Sequence, residues 1–333
     1  MNRIILVLTH TMDDTATMVL DHLQKMNLPF IRFNTDQFQE VITMTLDLDN
    51  DFGFTGVYHF PDRDVCFDEI AVVWNRRVHP PKVNEELDCD PMYKQWALEE
   101  SRYGLYSSFS QIRAPIINPW IENERLKYDK LLQMREARKF GFSVPQTRIT
   151  SNLENIWSFW EEVNHDMIFK KIRHGRFEFE DGRRFVLHTS KVREEDMSRE
   201  QLPRMKFCPL FLEEHIPKKW DIRSIVVNDR VFSVAIHSQA IDEGRVDYRT
   251  ASLLGKLSEM KHEEICLGDE VNKKLVSMTK SFGLVFNTID LIETPKGEIF
   301  FLECNPNGQW AWLEILTGIP ISVAFANHLS TYL

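Results

Sequence analysis

The sequence predicts a mixed α/β protein in which a small α/β unit precedes a larger part that contains antiparallel hairpins. Arg3–His10 is an apolar run of strand character, Thr15–Met26 has helical spacing, and Pro29–Phe33 restarts a strand, which together indicate a βαβ opening. Near the other end, two apolar runs flank Thr294–Gly297, where Pro followed two residues later by Gly is typical of a hairpin turn. Parallel and antiparallel pairing are therefore both expected.

Length and composition are those of an ordinary soluble globular protein. The 333 residues are enough for roughly two or three compact units around a well-filled core. Hydrophobic residues make up 43% and charged residues 27% of the chain. Forty basic and fifty acidic side chains give a net charge of −10, which argues against nucleic acid or an anionic membrane as a partner.

The cysteines indicate neither a disulfide framework nor a zinc site. The five are an odd number, lie far apart and include no C-x-x-C pair, so a reducing compartment is expected. The first apolar run, Ile4–Leu8, is too short for the core of a signal peptide. No stretch approaches the ~18 apolar residues that span a bilayer. We therefore expect a cytoplasmic protein.

The first turn of the chain argues against a dinucleotide site. Asp13 or Asp14 can cap the helix that follows the first strand, because either carboxylate can accept from free N–H groups. The turn itself, Thr9–Asp13, contains no glycine, whereas a Rossmann fingerprint needs glycines there so that the backbone can approach a pyrophosphate. A Rossmann-type cofactor site is therefore disfavoured.

Two arginines follow a predicted strand directly. Strands are predicted at Ile42–Leu48 and Ile70–Trp74, and Arg76 and Arg77 come just after the second. Open α/β sheets bind ligands outside the carboxyl ends of their strands, so the arginines are candidates for a site, with a solvated loop as the alternative. The next segment, Pro91–Phe109, has the spacing of a connecting helix.

The middle of the chain is predicted to form a separate unit. The proline-containing stretch Ala114–Pro119 is the first convincing domain boundary. A helix is predicted from Asn123 to Gly141, where glycine suits the helix end. Ser151 and Glu154 have the spacing of a capping box for a second helix that runs through Val163.

Lys170 occupies a position at which a charge is costly. The run Met167–Ile172 is predicted as a strand, in which Lys170 alternates with Ile168 and Ile172 and so points to the same face as core residues. An ammonium group there is expensive to bury unless an anion meets it. The sequence therefore predicts an anion beside Lys170.

The C-terminal hairpin predicts a magnesium site. Pairing its strands symmetrically about the turn sets Asp290 opposite Phe301 and Thr288 opposite Glu303, so that Asp290, Glu303 and Asn305 share one face. Glu303 and Asn305 end an apolar run, where polar groups are costly to bury unless they are paired or bind a metal. Such hard oxygen ligands suit Mg²⁺, which takes further ligands from substrate phosphates. The alternative is an amphipathic hairpin with a hydrated outer face.

The pattern D-x12-E-x-N at Asp290, Glu303 and Asn305 resembles the metal-binding end of ATP-grasp ligases. The exit of the Asn123 helix, Gly141 to Thr147, is similar to the same family. The resemblance implies an ATP-grasp fold with a small N-terminal α/β pre-ATP-grasp domain (1–117), a central subdomain with a partner-docking hairpin (118–208), and a C-terminal antiparallel-sheet domain with the metal site (209–333). It also implies ATP and Mg²⁺ as cofactors. The nucleotide-binding residues that it implies are Lys130, Lys170, Glu213, Glu214, His215, Ile216 and Asp221.

The resemblance narrows to the microviridin-type maturases. It rests on the segment Val73–Pro80, on Asp221-Ile-Arg223, and on the ending Leu302–Glu314. Such ligases cross-link ribosomally made graspetide precursors, each a leader plus a core. The implied reaction activates an Asp or Glu side chain as an acyl phosphate, which a Thr or Ser hydroxyl (ester) or a Lys amine (amide) then attacks. A homodimer is one assembly left open.

One segment departs from the ATP-grasp pattern and suggests where a partner docks. Many members carry a glycine-rich phosphate lid after the Lys170 strand. In this chain the corresponding segment, His174–Val186, has glycine only at Gly175 and Gly182 and contains a charged hairpin, Arg176–Phe185. A helix-like acidic stretch follows. A solvent-exposed hairpin followed by a charged helix is the alternative. The residues predicted to bind a peptide leader are Phe177, Phe179, Glu194, Glu195 and Asp196.

Two arginines are predicted to serve the chemistry. Arg223 and Arg249 could hold the acceptor carboxylate or the oxyanion through their planar donor forks. No general base stands out, and His215 and His237 are only candidates. Two alternatives remain open: an ATP-grasp carboxylate–amine ligase that acts on a free amino acid, a dipeptide or a protein C-terminus, and a non-catalytic ATP-binding module.

Overall fold

The computed structural model describes residues 3–48, 50, 53–82, 87–172, 176–179 and 181–333, without the side chains of residues 176–178 and 184. Gly175 of the predicted hairpin therefore lies outside the described residues. The strands are β1 Ile4–Thr9, β2 Phe30–Asn34, β3 Thr43–Leu48, β4 Phe54–His59, β5 Asp64–Cys66, β6 Ile70–Asn75, β7 Ile116–Ile117, β8 Thr147–Thr150, β9 Met167–Lys170, β10 Arg176–Glu178, β11 Arg184–Val186, β12 Ser190–Lys191, β13 Leu210–Glu214, β14 Trp220–Val227, β15 Arg230–Ile236, β16 His262–Ile265, β17 Phe286–Glu293 and β18 Ile299–Asn305. The helices are α1 Asp14–Lys25, α2 Pro91–Gln111, α3 Trp120–Tyr128, α4 Lys130–Lys139, α5 Leu153–Glu162, α6 Tyr248–Leu253, α7 Asp269–Ser281, α8 Ala311–Thr317 and α9 Ile321–Ser330.

The N-terminal sheet is parallel, which confirms the predicted βαβ opening. Its strand order is β2-β1-β6-β7, and α1 connects β1 to β2. Every residue of β1 and of β6 is buried, as is typical of a parallel sheet that is covered on both faces. Of the two candidate caps, Asp13 is the one used, since it accepts hydrogen bonds from the N–H groups of Thr15 and Ala16.

The predicted strand at 42–48 belongs to a different sheet. As β3 it pairs with β4, which pairs with β5, and all of this pairing is antiparallel. Strands β4 and β5 were not predicted, because Gly56 interrupts β4 and β5 has only three residues. That glycine is required for packing, since a Cβ there would lie 2.4 Å from the ring of Phe67. The small sheet covers the N-terminal core through Tyr58 and Val65, both fully buried.

The helix predicted from Asn123 to Gly141 is two helices. Helix α3 ends at Tyr128, and Asp129 leaves helical geometry with φ −104° and ψ 70°. The Asp129 carboxylate then caps α4 by accepting from the N–H of Leu132, 2.8 Å away. Gly141, just past α4, has a φ of +80°, the left-handed region that favours glycine at a helix end.

The central subdomain is an antiparallel sheet in the order β12-β9-β13-β8 that packs on α5. The cap of α5 is Asn152 rather than the predicted Ser151, because the Asn152 side chain accepts from the N–H of Asn155. Strands β10 and β11 pair as the predicted hairpin. The helix-like stretch predicted around Glu194–Asp196 is wrong, since these residues form turns.

The C-terminal sheet, β16-β15-β14-β17-β18, is antiparallel and lies between two cores. Side chains such as Val226 and Leu291 pack on α4 and α7. Side chains on the other face, such as Ile225 and Phe286, join a core shared with β1, β6, α1, α8 and α9. The C-terminal helices thus pack against the N-terminal unit. In the described ranges, no helix combines the length and hydropathy needed to cross a membrane.

Candidate active site

The C-terminal hairpin forms, but its register differs from the predicted one. Asp290 lies opposite Glu303 rather than Phe301, and Thr288 lies opposite Asn305 rather than Glu303. Residues directly opposite each other share a face of the sheet, and so do Glu303 and Asn305, two apart on one strand. The predicted grouping of Asp290, Glu303 and Asn305 on one face is therefore confirmed, although the pairs that produce it were wrong.

A β-bulge accounts for the difference. The pairing shifts between Asp290 and Leu291, and Leu291 lies opposite Phe301, so β18 carries Leu302 as an extra residue. Phe301 is fully buried in the core on the α4 and α7 face. Without the bulge Glu303, two residues on, would point into that same core. The extra residue turns the carboxylate of Glu303 to the opposite face.

Cationic side chains from distant parts of the chain meet the two carboxylates. Arg223 Nη1 lies 2.8 Å from Asp290 Oδ1, and Lys130 Nζ lies 3.0 Å from Glu303 Oε2. Arg249 Nη2 contacts Asp290 Oδ2 and lies 3.0 Å from Glu303 Oε1. A single guanidinium nitrogen thus bridges both carboxylates, so these are spaced to share one cation.

The surrounding charges keep Glu303 ionised. Burial opposes ionisation of this carboxyl group, but Lys130, Arg249 and Lys170 outweigh it and hold the pKa of Glu303 well below its usual range. Asp247, which caps α6, behaves in the same way: burial would raise its pKa, but Arg249 holds it below the ordinary value. Glu303 and Asp247 therefore carry their charge at neutral pH.

Arg223 is held on several sides by buried partners. Its side chain is 7% exposed, and besides Asp290 it donates from Nη1 to the hydroxyl of Tyr248 at 3.3 Å and from Nη2 to the Gln309 carbonyl at 2.9 Å. Burial raises the pKa of Tyr248 to about 12 against the pull of Arg223 and Arg249, so the phenol stays protonated. The guanidinium orientation is therefore fixed by the fold.

The side chain of Arg249 is more exposed than that of Arg223. It lies in the first turn of α6, where Asp247 accepts a hydrogen bond from its N–H at 3.1 Å. Its side chain is 40% exposed, in contrast to the 7% of Arg223. The nearby carboxylates outweigh burial and raise the pKa of Arg249 further above its ordinary value. The two predicted catalytic arginines thus meet at Asp290, one rigidly held and one facing solvent.

Lys170 has the anion that the sequence predicts. It forms an ion pair with Glu213, and the two side chains are 12% and 1% exposed. Burial alone would lower the pKa of Lys170, but the Glu213 carboxylate more than compensates and raises it. Within the described part of the chain, the buried Oε1 of Glu213 accepts no hydrogen bond.

The segment from Glu213 to Ile216, which is predicted to bind the nucleotide, follows the central sheet and leads to the C-terminal sheet. The N–H groups of Glu214 and His215 donate to the carbonyls of Gln146 and Asp166, at 2.9 and 2.8 Å. The N–H of Ile216 has no acceptor among the residues that the structure describes. One backbone donor of this segment is thus unpaired within the described part of the chain.

Asp221 is buried, and neighbouring side chains hold its carboxylate. It is 5% exposed, and its carboxylate accepts from Lys218 Nζ at 2.8 Å and from Ser238 Oγ at 2.5 Å. Burial raises the pKa of Asp221, and Lys218 opposes that shift. Lys218 also donates to the carbonyl of Val246, beside the cap of α6. The predicted nucleotide contact of Asp221 stays a prediction, and in this conformation Asp221 supports the α6 loop.

Neither histidine considered as a general base contacts the arginines or the two strand carboxylates among the described contacts. His215 Nδ1 lies 3.1 Å from Asp166, and His237 Nε2 lies 2.7 Å from Glu263. A general base has to reach the proton that it takes. Both histidines therefore remain candidates only.

The predicted docking segment is exposed at Phe179, Glu194 and Glu195, and none of its described contacts reaches this cluster. Phe179 is 51% exposed, and Arg183 lies over its ring at 5.1 Å. Phe177 lies in β10, and its side chain is outside the described set. Glu195 forms an ion pair with Arg193 at 2.8 Å, and Asp196 accepts from the N–H of Arg193 at 2.9 Å. Glu194 is exposed in the same turn.

Gly308 and Gln309 have a part in this site that the sequence pattern did not reveal. A Cβ on Gly308 would lie 1.7 Å from Thr288 Oγ1 and 2.9 Å from Arg223 Nη2, so only glycine allows this approach. Gln309 follows it and holds Arg223 by its backbone carbonyl. The glycine just past the metal-ligand pattern was the signal that could have identified this loop.

The residues present fit Mg²⁺ together with nucleotide phosphates. Asp290, Glu303 and Asn305 offer only oxygen ligands, and one cationic nitrogen already lies between the two carboxylates. No group of three or more His, Cys, Asp or Glu side chains that could hold a metal occurs in the described ranges. The amide oxygen of Asn305 would add a third oxygen ligand to the two carboxylates. It also accepts from the N–H of Asn307 at 3.0 Å.

Comparison with known families covers nearly the whole chain. Residues 4–124 match the MvdD pre-ATP grasp domain, and residues 127–329 match the RimK-like ATP-grasp domain. No curated protein matches the chain.

Solved structures of peptide-processing ligases are similar over their full length. Macrocyclase MdnC of Microcystis aeruginosa MRC, bound with precursor peptide MdnA, is 26% identical with a TM-score of 0.83 and covers 98% of this chain and 99% of its own. A Chryseobacterium gregarium RiPP-associated ATP-grasp ligase, in complex with ADP and a leader and core peptide, is 25% identical with a TM-score of 0.90, over 99% and 97%. Macrocyclase MdnB of the same Microcystis strain is 27% identical with a TM-score of 0.77, over 98% and 99%.

Proposed function

We propose that this chain, which belongs to the RimK-like ATP-grasp family, is an ATP-dependent macrocyclase of ribosomally made peptides. It activates Asp or Glu side chains of a precursor as acyl phosphates and joins them to Thr or Ser hydroxyls as ω-esters, or to Lys amines as ω-amides. Full-length similarity to MdnC and to the Chryseobacterium ligase, at 26% and 25% identity, supports this reading. The reaction is assigned to the cytoplasm, where ATP and newly made peptides are both present.

The observation that carries the proposal is the pair of carboxylates that share a single cation. Asp290 and Glu303 both contact Arg249 Nη2, and Arg223 and Lys130 approach from either side. A nucleotide-binding module without catalysis would need no buried arginine at this point. The arrangement instead suits charge that develops during transfer of a phosphoryl group.

The residues that would hold the cofactors fall into two groups, ligands of the metal ion and contacts of the nucleotide. Bound Mg²⁺-ATP would supply the γ-phosphoryl group that makes a carboxylate electrophilic. Arg249 would have to move aside for the carboxylates to hold a metal ion, and its 40% exposed side chain has solvent to turn into. The metal ligands would be Asp290, Glu303 and Asn305, and the nucleotide would be held by Lys130, Lys170, Glu213, Glu214, His215, Ile216 and Asp221.

Two arginines would hold the reacting carbonyl group. Arg223 points to Asp290 from a buried strand, and a planar fork can grip a carboxylate or an oxyanion in two places. Buried donors aimed in advance at developing negative charge cost no reorganisation during the reaction. Arg223 would therefore supply fixed donors, and Arg249 a mobile charge on the solvent side.

The peptide partner would dock through its leader away from the chemistry. Exposed acidic groups are offered by Glu194 and Glu195, and an exposed aromatic ring by Phe179. Asp196 and Phe177 complete the set of residues that we propose for leader binding. A tethered core is held at roughly millimolar effective concentration, so several side chains can react before the peptide leaves.

The test is a reaction with a defined peptide. The chain is incubated with Mg²⁺-ATP and the peptide encoded by a short neighbouring reading frame rich in Thr, Glu and Asp. We expect loss of the mass of one water per ring, with ADP formed in step, and mass-spectrometric fragmentation should join an Asp or Glu to a Thr, Ser or Lys. Ligation of free amino acids instead, with the peptide unchanged, would replace the macrocyclase assignment by a small-molecule ligase.

A further inference from the structure

A buried arginine of the N-terminal unit reaches the loop beside the candidate active site. Arg76 follows β6, and its side chain is only 1% exposed. Its Nη1 donates to the carbonyl of Asn307 at 3.1 Å, and its Nη2 donates to Gln309 Oε1 at 2.6 Å. Asp13, which is equally buried, lies 3.4 Å from Arg76 Nε. The guanidinium thus joins the N-terminal sheet to residues just past β18.

Gln309 passes this contact on to Arg223. The same Oε1 also accepts from Thr15 Oγ1 at 2.7 Å, so two donors of the N-terminal unit fix the Gln309 side chain. The backbone carbonyl of Gln309 accepts from Arg223 Nη2 at 2.9 Å. The contacts therefore run without a break from Arg76 through Gln309 to Arg223.

A contribution to stability does not by itself explain why the charged side chain of Arg76 is buried here. Burial lowers the pKa of Arg76 to about 10, with Asp13 opposing that shift, so the guanidinium keeps its charge at neutral pH. A buried ion pair is often no more stabilising than apolar residues of the same volume. A bidentate donor that grips a carbonyl and an amide at once is instead suited to fixing the geometry of a loop.

We propose that Arg76 is a positioning residue for the ligase reaction, acting through Gln309 to orient Arg223. With Nη1 on Asp290 and Tyr248 and Nη2 on Gln309, the Nε of Arg223 is left buried without an acceptor among the described residues. The Gln309 carbonyl sets the rotation of the guanidinium and so decides what that donor faces. This inference rests on the proposed function through the role given to Arg223.

The test is a double-mutant cycle between Arg76 and Arg223. Arg76→Gln is combined with Asp13→Asn, which leaves no unpaired buried charge and keeps a good cap on α1. We expect kcat for ring closure to fall roughly ten- to hundredfold, as for a small misplacement of a catalytic group, with Mg²⁺-ADP affinity unchanged. Adding Arg223→Lys should cause little further loss, because both changes remove the same contribution.

Asn118→Ala is the matched control. The Asn118 amide joins the same parts of the chain by donating to the carbonyls of Phe286 and Pro306, with no contact to Gln309 or Arg223 among its described bonds. In the double variant, the fold-loss of kcat caused by Asn118→Ala should multiply with the fold-loss caused by Arg223→Lys, because the two changes are independent. If the Arg76 variant multiplies in the same way, Arg76 only holds the interface together and the proposal is wrong.

A second pair of variants covers the case in which the Arg76 variant does not fold. Gln309→Glu keeps acceptors for Arg76 and Thr15 and should retain most of kcat, whereas Gln309→Met removes them and should lose it. Equal rates for these two variants would overturn the positioning role. A normal rate for Arg223→Lys alone would overturn both this inference and the role of Arg223 in the proposed function. Equal rates for the Gln309 variants would overturn this inference only, so the two failures can be told apart.

Discussion

The carboxylate–arginine cluster and the exposed docking segment are held together in opposite ways. In the cluster, ion pairs join residues far apart in sequence, such as Arg223 with Asp290 and Lys130 with Glu303. In the docking segment, ion pairs such as Arg183 with Asp181 and Arg193 with Glu195 join residues two apart, and their side chains are 54% to 75% exposed.

The two kinds of ion pair meet different requirements, fixed geometry in the cluster and exchangeable contacts in the docking segment. Buried charges that depend on the whole fold keep fixed positions, and removing one partner leaves the other uncompensated at a large cost. Exposed local pairs contribute about 0–1 kcal/mol each, so they can be exchanged for contacts with a partner at little cost. We infer that the cluster is built for chemistry and the segment for binding, and the following experiments test that division.

The largest effect is expected for Glu303→Gln. The change keeps the shape of the side chain but removes a charge that meets Lys130 and Arg249. Ring formation should fall by roughly two to three orders of magnitude, since such preorganised charge is typically worth that much. Mass spectrometry of the product measures the rate, and circular dichroism checks the fold. Glu298→Gln, at an exposed site on the same hairpin, is the control. Near-normal turnover of the Glu303 variant would remove the metal-site assignment.

Arg223→Lys and Arg249→Lys should each lower kcat by roughly ten- to hundredfold. Lysine keeps the charge but loses the planar fork, so the substitution is not conservative at a bidentate site. The buried Arg223 should show the larger loss, because the Gln309 carbonyl and the Tyr248 hydroxyl are fixed around it. Rates at saturating peptide and ATP measure the effect. Arg245→Lys, which changes an exposed arginine, is the control. Ordinary rates for both site variants would show that the arginines serve no chemistry.

These residues also show what the sequence could and could not reveal. Alternation of polar and apolar positions was enough to place Lys170 beside an anion and Glu303 with Asn305 on one face. Asp290 was placed on that face through a strand register that was wrong. The bulge at Leu302 was not predictable, because it depends on the core that Phe301 fills from the other side of the sheet.

Contacts between residues far apart in sequence could not be predicted either. Gln309 acquires its role only when the N-terminal unit packs against the C-terminal sheet, through contacts of Thr15 and Arg76 more than 200 residues away. The break at Asp129 is a local signal, an aspartate able to cap a new helix, that was overridden by the continuous helical spacing around it. Local pattern thus predicted some of the elements, and packing between units decided the details of the site.

Lys170→Met should destabilise the protein by about 3–5 kcal/mol, the usual cost of leaving a buried charge unpaired. Glu213, 1% exposed, would lose the cation it contacts. The double variant Lys170→Met with Glu213→Gln should recover most of that loss, which chemical denaturation of the three proteins measures. A double variant as unstable as the single one would mean that the two side chains are not coupled and that packing around Lys170 causes the loss.

Acid should narrow the stability difference between the wild type and Glu303→Gln. The pKa of Glu303 is lower in the folded protein than in the unfolded chain, where it is about 4.3, so its contribution is fully present above that value. As the pH falls further, the unfolded chain binds the proton first and the contribution is lost. Denaturation curves recorded from pH 7 down to acid measure the gap. A gap that stays constant, or widens, would show that the cations do not hold the Glu303 charge in place.

The smallest effect on chemistry, and the most selective one, is expected from reversing Glu194, Glu195 and Asp196 to Lys. Precursor affinity should fall roughly tenfold, because rim charges govern encounter with a charged partner, while Mg²⁺-ADP affinity and the reaction of a saturating peptide stay unchanged. Isothermal titration with each ligand measures both. Asp196 also holds its turn through the N–H of Arg193, so the variant with only Glu194 and Glu195 reversed separates charge from turn geometry.

Reversing three exposed aspartates of the N-terminal unit, Asp47, Asp62 and Asp68, gives a control with the same change in net charge. If that control weakens peptide binding as much as the acidic turn does, the effect comes from the overall field of an acidic protein. If neither does, the leader docks elsewhere, and the comparison between a fixed chemical cluster and an adaptable docking segment no longer includes this turn. A selective loss with the turn variant alone would place recognition where the chain is least constrained by its own fold.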